Sequence, residues 1–140
     1  MLRIHTAIEI AAPPERIWHE ITSLDQWAQW NPIMTRASGV VAVGRRVKVY
    51  IAPVTYKVRV TEVVPNRVFR WVGKRLIQGF MDGGHAFLIT PLEGGRVRLE
   101  HTEQFTGMLV PLLNLVGLGR ITRNGFEKMN AALKRRCEGP

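Results

Sequence analysis

The sequence predicts a two-layer α+β fold: short helices near the start, an antiparallel meander, and one long amphipathic helix at the C-terminal end. Three observations carry that expectation. From about residue 34 to Phe105 the chain runs through short stretches rich in Val, Ile, Phe, Trp and Thr. The spacers between them are a few turn residues each, which join antiparallel neighbours and are too short for parallel crossovers. The last third switches to apolar residues at helical spacing.

Residues 2–10 open with a loose alternation of Ile4, Thr6, Ile8 and Ile10, the pattern of a half-buried strand. Pro13-Pro14-Glu15 then starts a helix, because proline suits the first helical position and a carboxylate suits the positive helix N-terminus. Ile17, Trp18 and Ile21 form its apolar stripe. Ser23-Leu24-Asp25-Gln26 reads as a capping box for a second short helix carrying Trp27 and Trp30. Asn31-Pro32 ends it, since a residue before proline avoids helical geometry. Strands follow near 34–41, 46–52, 55–64, 67–73, 79–90 and 96–106. Gly44, Ala52-Pro53, Pro65-Asn66, Gly73-Lys74 and Glu93-Gly94-Gly95 separate them. With the first strand returning to an edge, the curved sheet has about seven strands. Asp82 among Gly79, Gly83 and Gly84 marks a bulge or bend.

Ile121, Thr122, Gly125, Phe126, Met129, Ala132 and Leu133 then recur on one helical face, opposite Arg123, Glu127, Lys128, Lys134 and Arg135. One straight helix over 109–136 would run roughly 42 Å. The radius of gyration of a domain this size is only about 14 Å. The helix must overhang or bend, and Gly117 and Gly119 mark the bend. Pro111 fits its first turn.

The chain has 140 residues, 20 Lys and Arg against 11 Asp and Glu, a net charge of +9, and 46% hydrophobic residues. That length fits one domain over 1–140. Hydrophobic content is ordinary and no low-complexity tract occurs, which excludes disorder. The longest uncharged run, Gln104 to Gly119, is broken by Pro111 and Asn114 and falls short of the ~20 apolar residues a spanning helix needs. Arg3, His5 and Glu9 interrupt any apolar leader, so no signal peptide is expected. The lone Cys137 forms no internal disulfide and no zinc-finger spacing, and a cytoplasmic location is the expectation. The basic residues alternate with apolar ones, as in Val47-Lys48-Val49 and Val97-Arg98-Leu99, which is how the solvent face of an antiparallel sheet reads. No basic stripe interleaves with exposed aromatics, so nucleic acid is not an expected partner.

Several segments, in order, resemble one superfamily. They are Ile8-x-Ile10-x-Ala12-Pro13-Pro14-Glu15-Arg16-Ile17-Trp18; the stretch Leu24 to Pro32 with Trp27 and Trp30-Asn31-Pro32; Val64-Pro65-Asn66-Arg67 followed by Trp71; Gly94-Gly95; and Phe105-x-Gly107. The chain resembles the START-like (SRPBCC) superfamily, in particular its polyketide cyclase/dehydrase-like members, over nearly its whole length. The resemblance implies a helix-grip fold: a curved antiparallel sheet wrapped around a long C-terminal α-helix, with two short helices between the first and second strands. It also implies a cavity between sheet and helix.

Strand parity indicates what faces that cavity. Val97, Leu99, His101, Glu103 and Phe105 share one face of the last strand, and His85, Phe87 and Ile89 form the matching set on the strand before. A hairpin loop around Gly94 places His85 opposite His101 or Glu103, with Cβ atoms about 4.5–5.5 Å apart. His85, Glu103 and His101 are therefore the catalytic candidates, and the three together could also aim at a metal ion. A satisfied structural pair, ligand recognition and acid–base chemistry all fit them. Flat strands without a local ligand motif argue against the metal, and no cofactor is expected. Trp30, Phe69 and Trp71 complete a wall, joined by Phe87, Leu99 and Phe105 from the sheet. Phe126 and Met129 close it from the helix. No nucleophile elbow, phosphate-cradling loop or dinucleotide fingerprint occurs.

The expected function is binding of a small hydrophobic ligand, lipid-, quinone- or polyketide-like, in a cavity above roughly 300 Å³. One alternative is a cyclase/dehydratase-type enzyme using the desolvated His–Glu pair as base and acid. Another is a lipid or quinone carrier in peripheral contact with an anionic membrane. Its docking surface would be the apolar run Phe105 to Leu118, bracketed by Arg120 and Arg123 with Lys134-Arg135-Arg136 adding charge. A monomer or homodimer is expected.

Overall fold

The computed structural model describes residues 1–75, 79 and 81–139. Phe80, within the strand expected over 79–90, lies outside the described residues. The chain runs through β1 (Leu2–Ile10), α1 (Pro14–Thr22), a 3₁₀-helix (Leu24–Gln29), β2 (Arg36–Ser38), β3 (Arg46–Ile51), β4 (Val54–Val64), β5 (Val68–Arg75), β6 (Met81–Pro91), β7 (Val97–Thr106), α2 (Val110–Leu115) and α3 (Leu118–Glu138). The strands form one seven-stranded sheet in the order β1-β7-β6-β5-β4-β3-β2, every neighbour antiparallel. Short turns permit only this meander, and the first strand closes against the last because α1 and the 3₁₀-helix carry the chain across the end of the sheet.

The inner face is apolar by period-two alternation. Val47, Val49, Val58, Val60, Phe69, Phe87, Ile89, Val97 and Leu99 are all buried on it. Phe126, Met129 and Leu133 of α3 pack into the same core. Trp27 is fully buried and meets Trp30, Trp71 and Phe87 with ring centroids 6.1, 6.2 and 6.3 Å away, so it fills the end of the core beneath α1. The outer face is charged, and in places like faces like: Arg46 pairs across from Arg59 and Lys48 from Lys57.

The helix does bend where glycine permits. Gly117 takes φ +104°, a left-handed geometry favouring glycine, and separates α2 from α3. Elsewhere the fold corrects the sequence reading. Ser23 makes no side-chain cap bond, and the helix it precedes is 3₁₀. Gln26 instead accepts a hydrogen bond from Arg136 at 3.2 Å. Strand β5 runs through Gly73-Lys74 to Arg75, so no turn falls there. Asp82 sits in regular pairing on both sides, and the bulge falls between Val60 and Glu62 of β4. Ile121 is 64% exposed although its spacing put it on the buried face, because the bend rolls the first turn of α3 outward. Trp18 is only partly buried, whereas Glu20 beside it is fully buried.

Glu20 is tolerated inside because α3 supplies its partners. Arg136 Nε donates to its Oε2 at 2.6 Å, and Arg16 Nη1 lies 3.6 Å from its Oε1. Arg136 also donates to Gln29 at 2.9 Å, and Arg16 donates to the Arg136 carbonyl at 3.1 Å. Such a buried carboxylate needs its pairing: removing one partner costs about 3–5 kcal/mol. The cluster ties α1 and the 3₁₀-helix to the C-terminal end of α3.

Candidate functional site

Between the sheet and the N-terminal half of α3 lies a cavity of about 210 Å³. Three glycines line it. A Cβ at Gly73 would sit 2.9 Å from Val58 Cγ1, one at Gly83 would sit 3.3 Å from Glu103 Oε1, and one at Gly125 would project toward Ile33, 3.7 Å away. Val49, Ile51, Tyr56 and Val58 form one wall; Trp71, His85, Glu103 and Phe105 form another; Leu118, Ile121, Thr122 and Phe126 form the helical side. Ile33 and Met34 close the remaining side. They are held there by Asn31, whose side-chain oxygen accepts from the backbone N–H of both, at 3.1 and 2.9 Å.

The volume falls below the 300 Å³ expected. It is nevertheless larger than the cavity of about 150 Å³ that suffices for benzene. The space matches a molecule of one or two rings in volume.

Of the residues parity assigned to the site, Trp71, His85, Glu103, Phe105 and Phe126 line the cavity. Phe69, Phe87, Leu99, His101 and Met129 are packed in the core beside it, and Trp30 is partly buried against Trp27. The reason is Trp27: by filling the α1 end of the core it confines the open space to the β3–β4 end. Val49, Ile51, Tyr56 and Val58 were legible by the same alternation applied to the β3–β4 hairpin. Ile33 and Met34 carried no periodic signal.

The polar centre is a chain of side chains running from β1 to the cavity wall. Register places His85 opposite Glu103 and Phe87 opposite His101, so the two imidazoles meet on a diagonal. Their Nε2 atoms are 2.7 Å apart. His101 Nδ1 lies 3.0 Å from Asn130 Oδ1 on α3, Asn130 Nδ2 donates to Thr6 Oγ1 at 2.9 Å, and Thr6 donates to the His101 carbonyl at 2.8 Å. Aromatic faces clamp both rings. His85 stacks on Trp71 at 4.3 Å, and His101 lies between Phe126 at 3.9 Å and Phe87 at 4.5 Å. Sequence reasoning missed Thr6 and Asn130 as partners.

Burial disfavours charge on either ring. It pushes His101 down to about 3, with the Asn130 hydrogen bond opposing, and holds His85 well below the ordinary range, helped by the neighbouring His101. His85 Nδ1 lies 3.8 Å from Glu103 Oε2. With His85 neutral this is no ion pair, and the separation is too long for a direct hydrogen bond.

A second, open depression of about 870 Å³ crosses the outer face over Gly83 and Gly84, rimmed by Arg3, Arg46, Lys57, Arg59 and Arg70. Its lining is as much polar as apolar, and it shares Trp71, His85 and Glu103 with the inner cavity. Among the described residues no group of three or more His, Cys, Asp or Glu side chains is placed to hold a metal ion, and no helix is long and apolar enough to cross a membrane.

The model of the family described as polyketide cyclase / dehydrase and lipid transport matches residues 1–138. No curated protein matches the chain. Several solved structures share its architecture at low identity. A START superfamily protein from Mycobacterium smegmatis is 18% identical, covers 97% of this chain and 97% of its own, and superposes with a TM-score of 0.75. The Aha1 dimer from Colwellia psychrerythraea is 20% identical over 99% of this chain and 97% of its own, with a TM-score of 0.78. Protein MLL2253 from Mesorhizobium loti is 18% identical over 96% of this chain and 95% of its own, also at 0.78. These likenesses show the helix-grip fold. With the family match spanning nearly every residue, the chain belongs to the polyketide cyclase / dehydrase and lipid transport family.

Proposed function

We propose that the protein binds a small, ring-bearing hydrophobic molecule in the inner cavity. The observation that carries this is the apolar space left beneath Phe126, lined by Gly73, Gly83 and Gly125, in a core otherwise closely packed. Helix interiors disfavour glycine by about 1 kcal/mol relative to alanine, so Gly125 in the middle of α3 costs stability where it leaves room. Calorimetry with naphthalene tests the reading: wild type binds it, and Gly125→Leu, which fills the space, loses binding with its fold intact by circular dichroism. Absence of naphthalene binding by wild type sinks the reading.

One observation favours a second reading, contact with a membrane surface at the cavity mouth. Met108, Leu112, Leu115, Val116 and Ile121 are exposed together around α2, Leu115 by 84%, and Ile121 also lines the cavity. The cations proposed to assist are largely engaged elsewhere: Arg136 with Glu20, Lys134 with Glu138 at 2.7 Å, and Arg123 with the His5 carbonyl at 2.8 Å. Contact would then rest on apolar area more than on charge. Flotation with vesicles should carry the wild type and lose the Leu112→Asp/Leu115→Asp variant. A wild type that stays at the bottom of the gradient ends this reading.

A further inference from the structure

The hydrogen bonds around His101 can be solved for the positions of their protons, starting from a group that cannot donate. The backbone carbonyl of His101 only accepts, so the single hydroxyl proton of Thr6, 2.8 Å away, points to it. Thr6 Oγ1 must therefore accept from Asn130, which fixes that amide with Nδ2 toward Thr6 and Oδ1 toward His101. An amide oxygen only accepts, so His101 carries its proton on Nδ1. A neutral imidazole has one N–H, which leaves a lone pair on His101 Nε2. The 2.7 Å contact then requires the proton to sit on His85 Nε2. The remaining nitrogen of His85, Nδ1, is left with a lone pair at the cavity wall, on the side facing Glu103. Burial keeps both rings neutral, so neither escapes the constraint by taking a second proton.

We infer that the cavity selects molecules whose polar group donates a hydrogen bond, a phenol or alcohol hydroxyl, to His85 Nδ1, over ketones, ethers and carboxylates of similar shape. The inference rests on the reading that the cavity binds apolar rings at all. An acceptor-only head would face a fixed lone pair that cannot turn into a donor, because flipping one proton requires flipping every member back to a carbonyl. Sites whose buried polar groups are left unmatched discriminate steeply against the wrong analogue. Thr6 is a positioning residue here: it lies outside the cavity lining and acts through Asn130 and His101.

Two measurements test this. Long-range proton–nitrogen NMR correlations of the uniformly labelled protein read the tautomers directly. The expected result is His101 protonated on Nδ1 and His85 on Nε2; a proton on His85 Nδ1 overturns the inference. Calorimetry then compares 2-naphthol, 2-methoxynaphthalene and 2-naphthoate against naphthalene. We expect 2-naphthol to bind at least tenfold more tightly than 2-methoxynaphthalene, and 2-naphthoate to bind most weakly. Equal affinities for the hydroxyl and methoxy compounds overturn the inference and leave the apolar-ligand reading standing. Failure of all four probes defeats that reading and the inference with it. Thr6→Val should reduce the naphthol preference severalfold with naphthalene affinity unchanged, and an unaltered preference would show that the chain is not set from Thr6.

Discussion

His85 and His101 share one hydrogen bond and are shut away from water, and this gives the protein a defined response to acid. In the unfolded chain both rings titrate near 6.5; in the fold both are held lower, His101 at about 3. The unfolded state therefore takes up protons first. Stability is fully present above about pH 6.5 and falls as pH drops below it, by up to about 1.4 kcal/mol per pH unit for each ring. Between pH 7 and pH 5 the expected loss from His101 is roughly 2 kcal/mol, with His85 adding in the same direction, measured as the shift in urea unfolding. A stability unchanged over that interval would mean that both rings are already charged in the fold. Part of this centre was legible beforehand. Alternation across a Gly-Gly hairpin set His85 against His101 or Glu103, and the register selects Glu103. The bond between the two imidazoles runs diagonally, within the ~7–8 Å reach of neighbours displaced by two, and parity does not choose between diagonals. Thr6 and Asn130 were hidden because their meeting depends on how α3 lies across β1.

Among the elements, the strands were the most readable, since apolar alternation and turn residues agree along most of the meander. The errors fell where one local signal stood alone. Gly73-Lys74 looked like a turn, yet Gly73 sits inside β5 because Val58 on β4 occupies the space its Cβ would take. The Ser23 box failed because Gln26 is recruited by Arg136 from the far end of the chain, which no local pattern records. The break in the C-terminal helix succeeded because length and glycine pointed to the same place. Two alanine substitutions on that helix should have opposite effects. Gly117→Ala forces a side chain into φ +104° and should destabilise by about 1–3 kcal/mol. Gly125→Ala meets only ordinary contact with Ile33 at 3.7 Å and should stabilise by about 0.5–1 kcal/mol. Thermal midpoints of the two variants check this, and equal shifts would contradict it.

For the molecule as a whole, the position of the cavity follows from where the core is filled. Trp27 occupies one end of the space between sheet and helix, and the Glu20–Arg136 cluster fastens α1 and α3 over it. The opposite end, under the first turns of α3, is left open. The family resemblance supplied the layers, but the placement of the opening depends on a tryptophan and a buried ion pair whose partners are distant in sequence.

The charged outer face has a consequence for association. No acidic residue occurs between Asp25 and Glu62, and the sheet ends there in a strand of three residues, β2, too short to cover all of β3. An open sheet invites another chain to continue its ladder. Here a second copy approaching that border would set arginine and lysine against Arg36, Arg46 and Lys48. Like charges directly opposite are already unfavourable within the protein, where Arg46 faces Arg59 and Lys48 faces Lys57. The same repulsion guards the exposed border against edge-to-edge aggregation.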